Sequence, residues 1–503
     1  MSGTDRFGGE DVERGPEAGE TMLSRRTLLQ RAAALGLAAS TMGTLDVLAR
    51  WPQRALGATG PALPEIQYAI ERYTPKAIRA EGIPIRPGPV YTTFATIALT
   101  RTPTADDQAT LARALATIEA TYPFSPYGVF TTVCYGIPYF ERLPGGMGSA
   151  IVAKHMPRLI ADPERFVLEE AVPGPTDVSP ANPEITKQRF NVPVRIEAND
   201  MLLILRSDST AIVADTLDWL SGESDALAGS AVGPSGLGAL FSVTSRRLMF
   251  NQQGLPRAIA DERQLPYAES INPSSSMWMG FSDAQVGSSG PAPITTFQGN
   301  HFSRLTSARP GGYLSRGSIV HLSHLIQDLE QFYERPRETF TRRCSAMFTS
   351  NPPPSTGNTD QFTDGGGPAY IPNFFVGPTG AEREAAAIRT FDGQGHLGHI
   401  SGLQRSSRTG DARPIHIRAD GPGFDSLDVP DGSQQPKLHF SIFVPSADFF
   451  ASMRRNQASL DLAQKYDVPP QNLGLEPFIT ATRRQNFLVP PRSRRAFPLL
   501  ELD

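Results

Sequence analysis

The chain has 503 residues, too many for one ordinary hydrophobic core, so two domains or one duplicated architecture is expected. Its formal charge of -4 leaves no basic surplus to draw a nucleic acid, and 39% hydrophobic with 19% charged residues is a globular composition. Two cysteines, Cys134 and Cys344, exclude a disulfide scaffold, and 45 glycines with 45 prolines favour strands and ordered loops over a helix bundle.

The first twenty residues are polar, Gly-rich and acidic, a composition that does not build a core. Then "SRRTLLQ", Ser24 to Gln30, matches the twin-arginine export pattern, followed by a mildly apolar stretch from Ala32 to Leu45. That stretch is too short to span a bilayer, so 1–58 reads as a disordered tail and signal peptide, cleaved in the small-residue run Ala55 to Ala58. The twin-arginine route moves folded proteins, which suits a chain that takes up a cofactor before export. A periplasmic, cell-envelope or extracellular location is expected, with the twin-arginine translocase as a transient partner.

"VYTTFATIALT" (Val90 to Thr100) predicts a strand and "TADDQATLARALATIEATY" a helix, capped by Thr104 with Asp106 and Asp107 in its first turn. "GVFTTVCYG" is a second strand, and after a Pro-rich linker "DMLLILRS" and "DSTAIVADTLDWLSG" read as strand and helix. "GLGALFSVTSRRLMF" closes this half as a strand. The order recurs: "GGYLSRGSIVHLSH" as strand, "LIQDLEQFYERP" as helix, an irregular insert from 344 to 370, "LHFSIFVP" as strand, "SADFFASMRRNQASLDLAQKY" as helix, "FITATRRQNFLVPP" as strand. Two βαββαβ halves, 59–266 and 267–503, argue for a duplicated α+β fold with helices outside antiparallel sheet. The basic spots "MRRNQ" and "PPRSRRAFP" read as solvated surface, and the terminal "AFPLLELD" as a final strand or tail, with a docking peptide as the other reading.

Several of these stretches resemble one family, the dye-decolourising (DyP-type) haem peroxidases. "GVFTTVCYGIPYFERL" and "DMLLILRSDSTAIVADTLDWL" resemble its strand-turn and strand-helix segments, "MWMGFSDAQ" resembles its G-x-x-D-G signature at Gly280 to Ala284, and "GGYLSRGSIVHLSHLIQDLEQFY" the segment that follows. The likeness runs from about Val90 to the C-terminus and is that of a divergent, twin-arginine-exported branch. It implies duplicated ferredoxin-like halves of the dimeric α+β barrel type, haem b with its iron, hydrogen peroxide and an unknown electron donor as partners, with a homo-oligomer left open.

The resemblance also implies site residues. His399 in "LGHIS" lies where the axial ligand is expected, Arg418 follows 19 residues later as the distal cation, and Asp283 is the distal acid. Gly280 and Phe281 would border the haem, and Asp411 would stand behind the ligand. His416 or His396 are the other candidates for the iron, a structural role is open for His399, and Asp411 and Asp283 also read as ordinary loop acids. The signature departs from the family at Ala284, where Gly is usual, and at Gln285, where Thr is. The implied function is an exported haem-dependent peroxidase oxidising aromatic or dye-like substrates; the other reading is a haem-binding or cell-envelope binding protein without turnover. Non-haem metal ligands are a weaker reading of His321-x-x-His324 with His301, or of His396-x-x-His399 with Asp392, because on a strand residues three apart face opposite ways.

Overall fold

The computed structural model describes residues 62–80, 83–85, 87–280, 282–284, 292–299, 305–334, 370–372, 399, 416–458, 460–465, 467 and 473–502. The twin-arginine segment, Cys344, Phe281, Asp411, His301, His396 and Asp392 lie outside them. Residues Pro52–Asp503 cluster as one compact unit.

The first half begins with β1, Tyr91–Leu99, and α1, Ala105–Thr121. Thr104 and Asp107 form a reciprocal capping box: Asp107 N donates to Thr104 Oγ1 at 3.3 Å and Thr104 N donates to Asp107 Oδ2 at 2.7 Å. Strand β2, Phe130–Tyr135, strand β3, Met201–Ser207, helix α2, Thr210–Leu220, and strand β4, Phe241–Phe250, complete a βαββαβ unit. The second half repeats it with β5, Ser318–Gln327, and α3, Leu329–Tyr333. Two short pieces follow, β6, Ile417–Arg418, and β7, Gly421–Asp425, and then β8, Gln435–Val444, α4, Asp448–Ala458, α5, Leu460–Lys465, and β9, Ile479–Val489.

Hydrogen bonding orders the strands β6-β8-β5-β9-β2-β3-β1-β4, with β7 also on β8. Each half therefore runs second, third, first, fourth strand, the ferredoxin-like order, and every pair within a half is antiparallel. The fold is duplicated α+β, as the element order predicts. One point differs: the segment read as the helix "LIQDLEQFYERP" begins as strand. Leu325, Ile326 and Gln327 stay paired with β9, and the helix starts only where Asp328 Oδ1 accepts from Gln331 N at 3.2 Å.

The halves join where β9 meets β2, at the single pair Leu488 and Tyr135. Short strand Arg195–Ile196 reinforces the joint by running parallel to β9. Gln485 clasps it too, its Oε1 accepting from Asn199 N at 3.0 Å while its Nε2 donates to Asn199 O at 2.7 Å. At the far ends of the sheet, β4 and β7 press together through glycine: a Cβ on Gly423 would lie 2.9 Å from Leu248 O, and one on Gly421 3.0 Å from the Met249 side chain. Trp278 pins this closure by donating Nε1–H to Gly423 O at 2.9 Å.

A sheet closed on itself has two buried faces. On the outer one Ala95, Ile97, Ile442, Val444 and Leu488 pack in one cluster with Leu111 and Leu115 of α1, Leu217 of α2 and Phe450 of α4. On the inner face Phe94, Leu202, Val320, Leu322, Phe443 and Phe487 form another. Cys134 is free within it, and burial pushes its thiol pKa up. The C-terminal segment is no strand: Phe497 and Leu499 are buried in the outer core, and Tyr139 Oη donates to Pro498 O at 2.8 Å.

Gly136 sits under the clasp, where an added Cβ would lie 2.3 Å from Asn199 O and 2.5 Å from Gln485 Nε2. Gly136→Ala is expected to lower unfolding stability by about 1–3 kcal/mol in urea titrations. An unchanged midpoint would mean that this contact does not hold the joint.

Candidate functional site

On the outer face of the second half, between β5, β8 and α4, the sheet does not pack tightly. The cavity left there is walled by Met277, Met279, Leu325, Leu438, Phe440 and Phe450. The cavity volume is about 90 Å³. That is below the usual range of small-molecule and cofactor sites, about 300–1,000 Å³. His399 and Arg418 both line it.

The elements explain why these side chains meet. Arg418 stands in β6, where Ile442 of β8 is its cross-strand partner, and its Nε is 4.0 Å from Asp420 Oδ1. His399 is half-buried against Gly474, whose φ of +50° and missing Cβ let the two backbones approach; a Cβ there would be 3.1 Å from His399 N. Met277 and Met279 precede Gly280, which turns the chain with φ +82° into the short strand Ser282–Ala284. That strand runs parallel to Tyr370–Pro372.

The cavity floor is ionic. Arg454 of α4 is a two-pronged donor to Glu476, at 2.9 Å and 3.0 Å, and its Nη2 also donates to Thr176 Oγ1 at 2.7 Å. Arg484 of β9 donates Nη2–H to Asp177 Oδ1 at 2.7 Å and lies over the Phe450 ring. Both guanidiniums are more than they need for these acids: Arg454 Nε and Arg484 Nε and Nη1 are buried with no hydrogen-bond partner. Burial alone would raise the Glu476 carboxyl, but the Arg454 guanidinium, with Lys187 and the Thr176 hydroxyl, holds it well below the usual carboxylate range.

Of the residues singled out in the sequence, His399 and Arg418 are brought together and Gly280 lies at the end of a segment lining the same cavity. Asp283 and Ala284 are placed by backbone in the short strand, while Phe281 and Asp411 lie outside the described residues. His416 is buried and is not among the lining residues. His321 and His324 do face opposite ways: His321 stacks on Phe450 outside, and His324 is inside the closed sheet. Two basic spots read as solvated surface are corrected. Arg454 is buried because Glu476 and Asp177 wait for it, while its neighbour Arg455 is exposed; Arg495 and Arg492 are likewise folded in against Glu119 of α1, at 2.6 and 2.5 Å. Arg454 and Arg484 are the site residues that sequence reasoning missed. Alternation along β9 was the available signal, since Arg484, Asn486 and Leu488 share one face.

Glu476→Gln leaves the buried Arg454 with only the more distant Asp177, 3.8 Å away, and a loss of about 3 kcal/mol is expected in urea unfolding at neutral pH. The folded-state pKa is depressed, so the pair's stabilisation is present above the unfolded value of about 4.5 and is lost as pH falls through the lower folded one. The wild type should therefore lose stability more steeply than the variant below about pH 5. Parallel acid limbs would contradict the assignment.

Solved structures with a similar course of chain include a dye-decolourising peroxidase from Bacteroides thetaiotaomicron. DtpA from Streptomyces lividans shares 15% identity over 83% of this chain and 93% of that one, with a TM-score of 0.46. The enzyme from Bacteroides thetaiotaomicron shares 12% over 84% and 97%, TM-score 0.44. A Rhodococcus jostii DypB variant in complex with heme shares 12% over 82% and 96%, TM-score 0.43. Likenesses this distant leave the chemistry to this chain's own residues. No curated protein matches the sequence. A family described as being of unknown function, DUF7405, matches residues 164–491, which is more than half of the sequence and takes in the cavity and both strands that frame it; the chain belongs to that family.

Proposed function

We propose that the chain is an exported, haem-dependent, peroxidase-like oxidoreductase. The observation that carries this reading is the convergence of Met279, His399 and Arg418 on one apolar-walled cavity from three segments far apart in sequence. The residues present fit the group. An imidazole stands at one wall for iron, apolar side chains suit a macrocycle, and the orphaned N–H groups of Arg454 and Arg484 suit its carboxylates. Haem, when bound, supplies the iron at which the O–O bond of hydrogen peroxide is cleaved.

The chain's own residues supply the rest. His399 holds the iron through a ring nitrogen. Arg418 provides a fixed positive charge on the cavity wall, which favours negative charge developing on a departing oxygen. Asp283 accepts the peroxide proton in this reading. An aromatic or dye-like reductant closes the cycle. Ala284, at a position where the resembled family has Gly, favours a second reading in which haem is bound without turnover. Export follows from Arg25 and Arg26.

Protein purified with haem supplied should show a Soret band at one haem per chain, and folded protein that stays colourless would sink both readings. His399→Ala should lower occupancy and shift the band, whereas His416→Ala should do neither. Arg418→Leu and Asp283→Asn should keep the haem but slow its reaction with peroxide by about 10² or more in stopped-flow absorbance. Haem present with no reaction in the wild type selects the second reading. Arg25→Lys with Arg26→Lys should retain the protein in the cytoplasm, checked by fractionation.

A further inference from the structure

The inner face of the closed sheet holds a second constellation, made by residues that the outer cavity does not use. His324 of β5 and His439 of β8 are direct cross-strand partners, and their rings lie with centroids 5.1 Å apart. Both side chains have no exposed surface. Asp425 at the end of β7 turns Oδ2 toward them, 3.5 Å from His324 Nε2 and 3.9 Å from His439 Nε2. Gly423, two residues earlier, leaves the room: a Cβ there would lie 2.3 Å from His439 Nε2.

The hydrogen-bond pattern decides where the protons are. Asp428 Oδ2 can only accept, so Thr482 Oγ1, 2.9 Å away, donates to it. Thr482 is then free to accept from His324 Nδ1 at 3.0 Å, so that a neutral His324 ring carries its proton on Nδ1 and its lone pair on Nε2. That lone pair faces a carboxylate oxygen. His324 Nε2 and both ring nitrogens of His439 are buried with no hydrogen-bond partner. One potential ligand atom from each of His324, His439 and Asp425 lies within 4.8 Å of the others.

Neighbouring charges do not fill that point. Lys437 Nζ donates to Leu427 O at 2.6 Å and lies 3.6 Å from Asp425 Oδ1, the other carboxylate oxygen. Arg483 is clamped on Asp428 at 2.6 and 2.7 Å, and Arg247 on Glu197. A proton on His324 would satisfy one of the three atoms and leave His439 unexplained. A cation with bonds of about 2.0–2.1 Å to nitrogen and oxygen would engage one atom of each of the three residues, since tetrahedral ligands around it stand roughly 3.3 Å apart, and would leave one ring nitrogen of His439 without a partner.

We propose that His324, His439 and Asp425 bind one divalent transition-metal ion of the zinc and ferrous-iron class, with a fourth position open to water. Two imidazoles and a carboxylate are the ligand set of that class. Thr482 and Asp428 form the outer support that fixes the His324 tautomer, and Lys437 holds the carboxylate oxygen that the metal leaves over. The site is on the opposite face of β5 and β8 from the cavity of His399, so the two are independent.

The test uses the whole chain, purified without haem, stripped with a chelator and titrated with Co²⁺ as the probe. One Co²⁺ per chain should survive gel filtration and show the intense visible bands of a four-coordinate site. His439→Gln and Asp425→Asn should weaken binding by roughly 100-fold or more, Thr482→Val by about 10–100-fold, and His399→Ala should leave it unchanged. Co²⁺ that washes off the wild type, or keeps the weak spectrum of the aqueous ion, overturns the proposal. So does equal binding by the wild type and folded ligand variants. If those variants do not fold, the wild-type spectrum and stoichiometry decide alone. Haem enters neither readout, so failure of the peroxidase reading leaves this result standing.

Discussion

A guanidinium with no exposed surface cannot be left without a counter-charge, and Arg247 is such a group. It binds both oxygens of Glu197, which also faces Arg483 at 3.3 Å, and Arg483 in turn clamps Asp428. Arg247 and Glu197 belong to the first half, Arg483 and Asp428 to the second. The chain of charges therefore crosses the joint inside the closed sheet, from the fully buried Arg247 to the partly exposed Asp428. Burying so many ions costs desolvation, and apolar residues would pack the same space at less expense. What the ions add is a single allowed arrangement, because a shift of one half against the other would strand a charge in the interior.

The same sheet keeps two chemistries apart. Strands β5 and β8 present Ser323, Leu325, Leu438 and Phe440 outward to the cavity, and His324 and His439 inward. Alternation along a strand is enough to do this: adjacent residues serve opposite compartments separated by one backbone thickness. Each compartment also has its own counter-ions, Glu476 and Asp177 outside, Glu197, Asp425 and Asp428 inside.

Much of the fold was legible because local rules agreed with it. The capping box at Thr104, the apolar run Met201 to Leu205 in β3 and the apolar faces of α1 and α2 each announce their element without tertiary information. The end of β5 was misread because Leu325 to Gln327 are as compatible with a helix as with a strand, and only pairing with β9 decides. His399 and Arg418 were legible as a spacing, and their meeting in one cavity depends on β6 taking its place beside β8. Alternation along β9 puts Arg484 on the face of Leu488, but the acids that hold the buried arginines were not legible. A basic run gives no sign of its acid when that acid, as with Arg484 and Asp177, lies hundreds of residues away. The inner cluster was hidden for the same reason: His324 reads as half of an i, i+3 pair, while its true neighbours are set by strand register.

The position of β9 has a consequence for how the molecule is made. It is the last strand in the chain, yet it lies between β5 and β2 in the middle of the sheet. The first half has all four of its strands once Phe250 has emerged during synthesis, and can form its own sheet. The second half lacks its fourth strand, and the two halves lack their joint, until β9 itself has emerged. Closure is thus dominated by contacts between residues far apart in sequence and is slow on the scale of local folding. Until Val489 is released, the face of β2 that will receive it is an open sheet edge, so the interval before closure is when this chain is most exposed to wrong pairing.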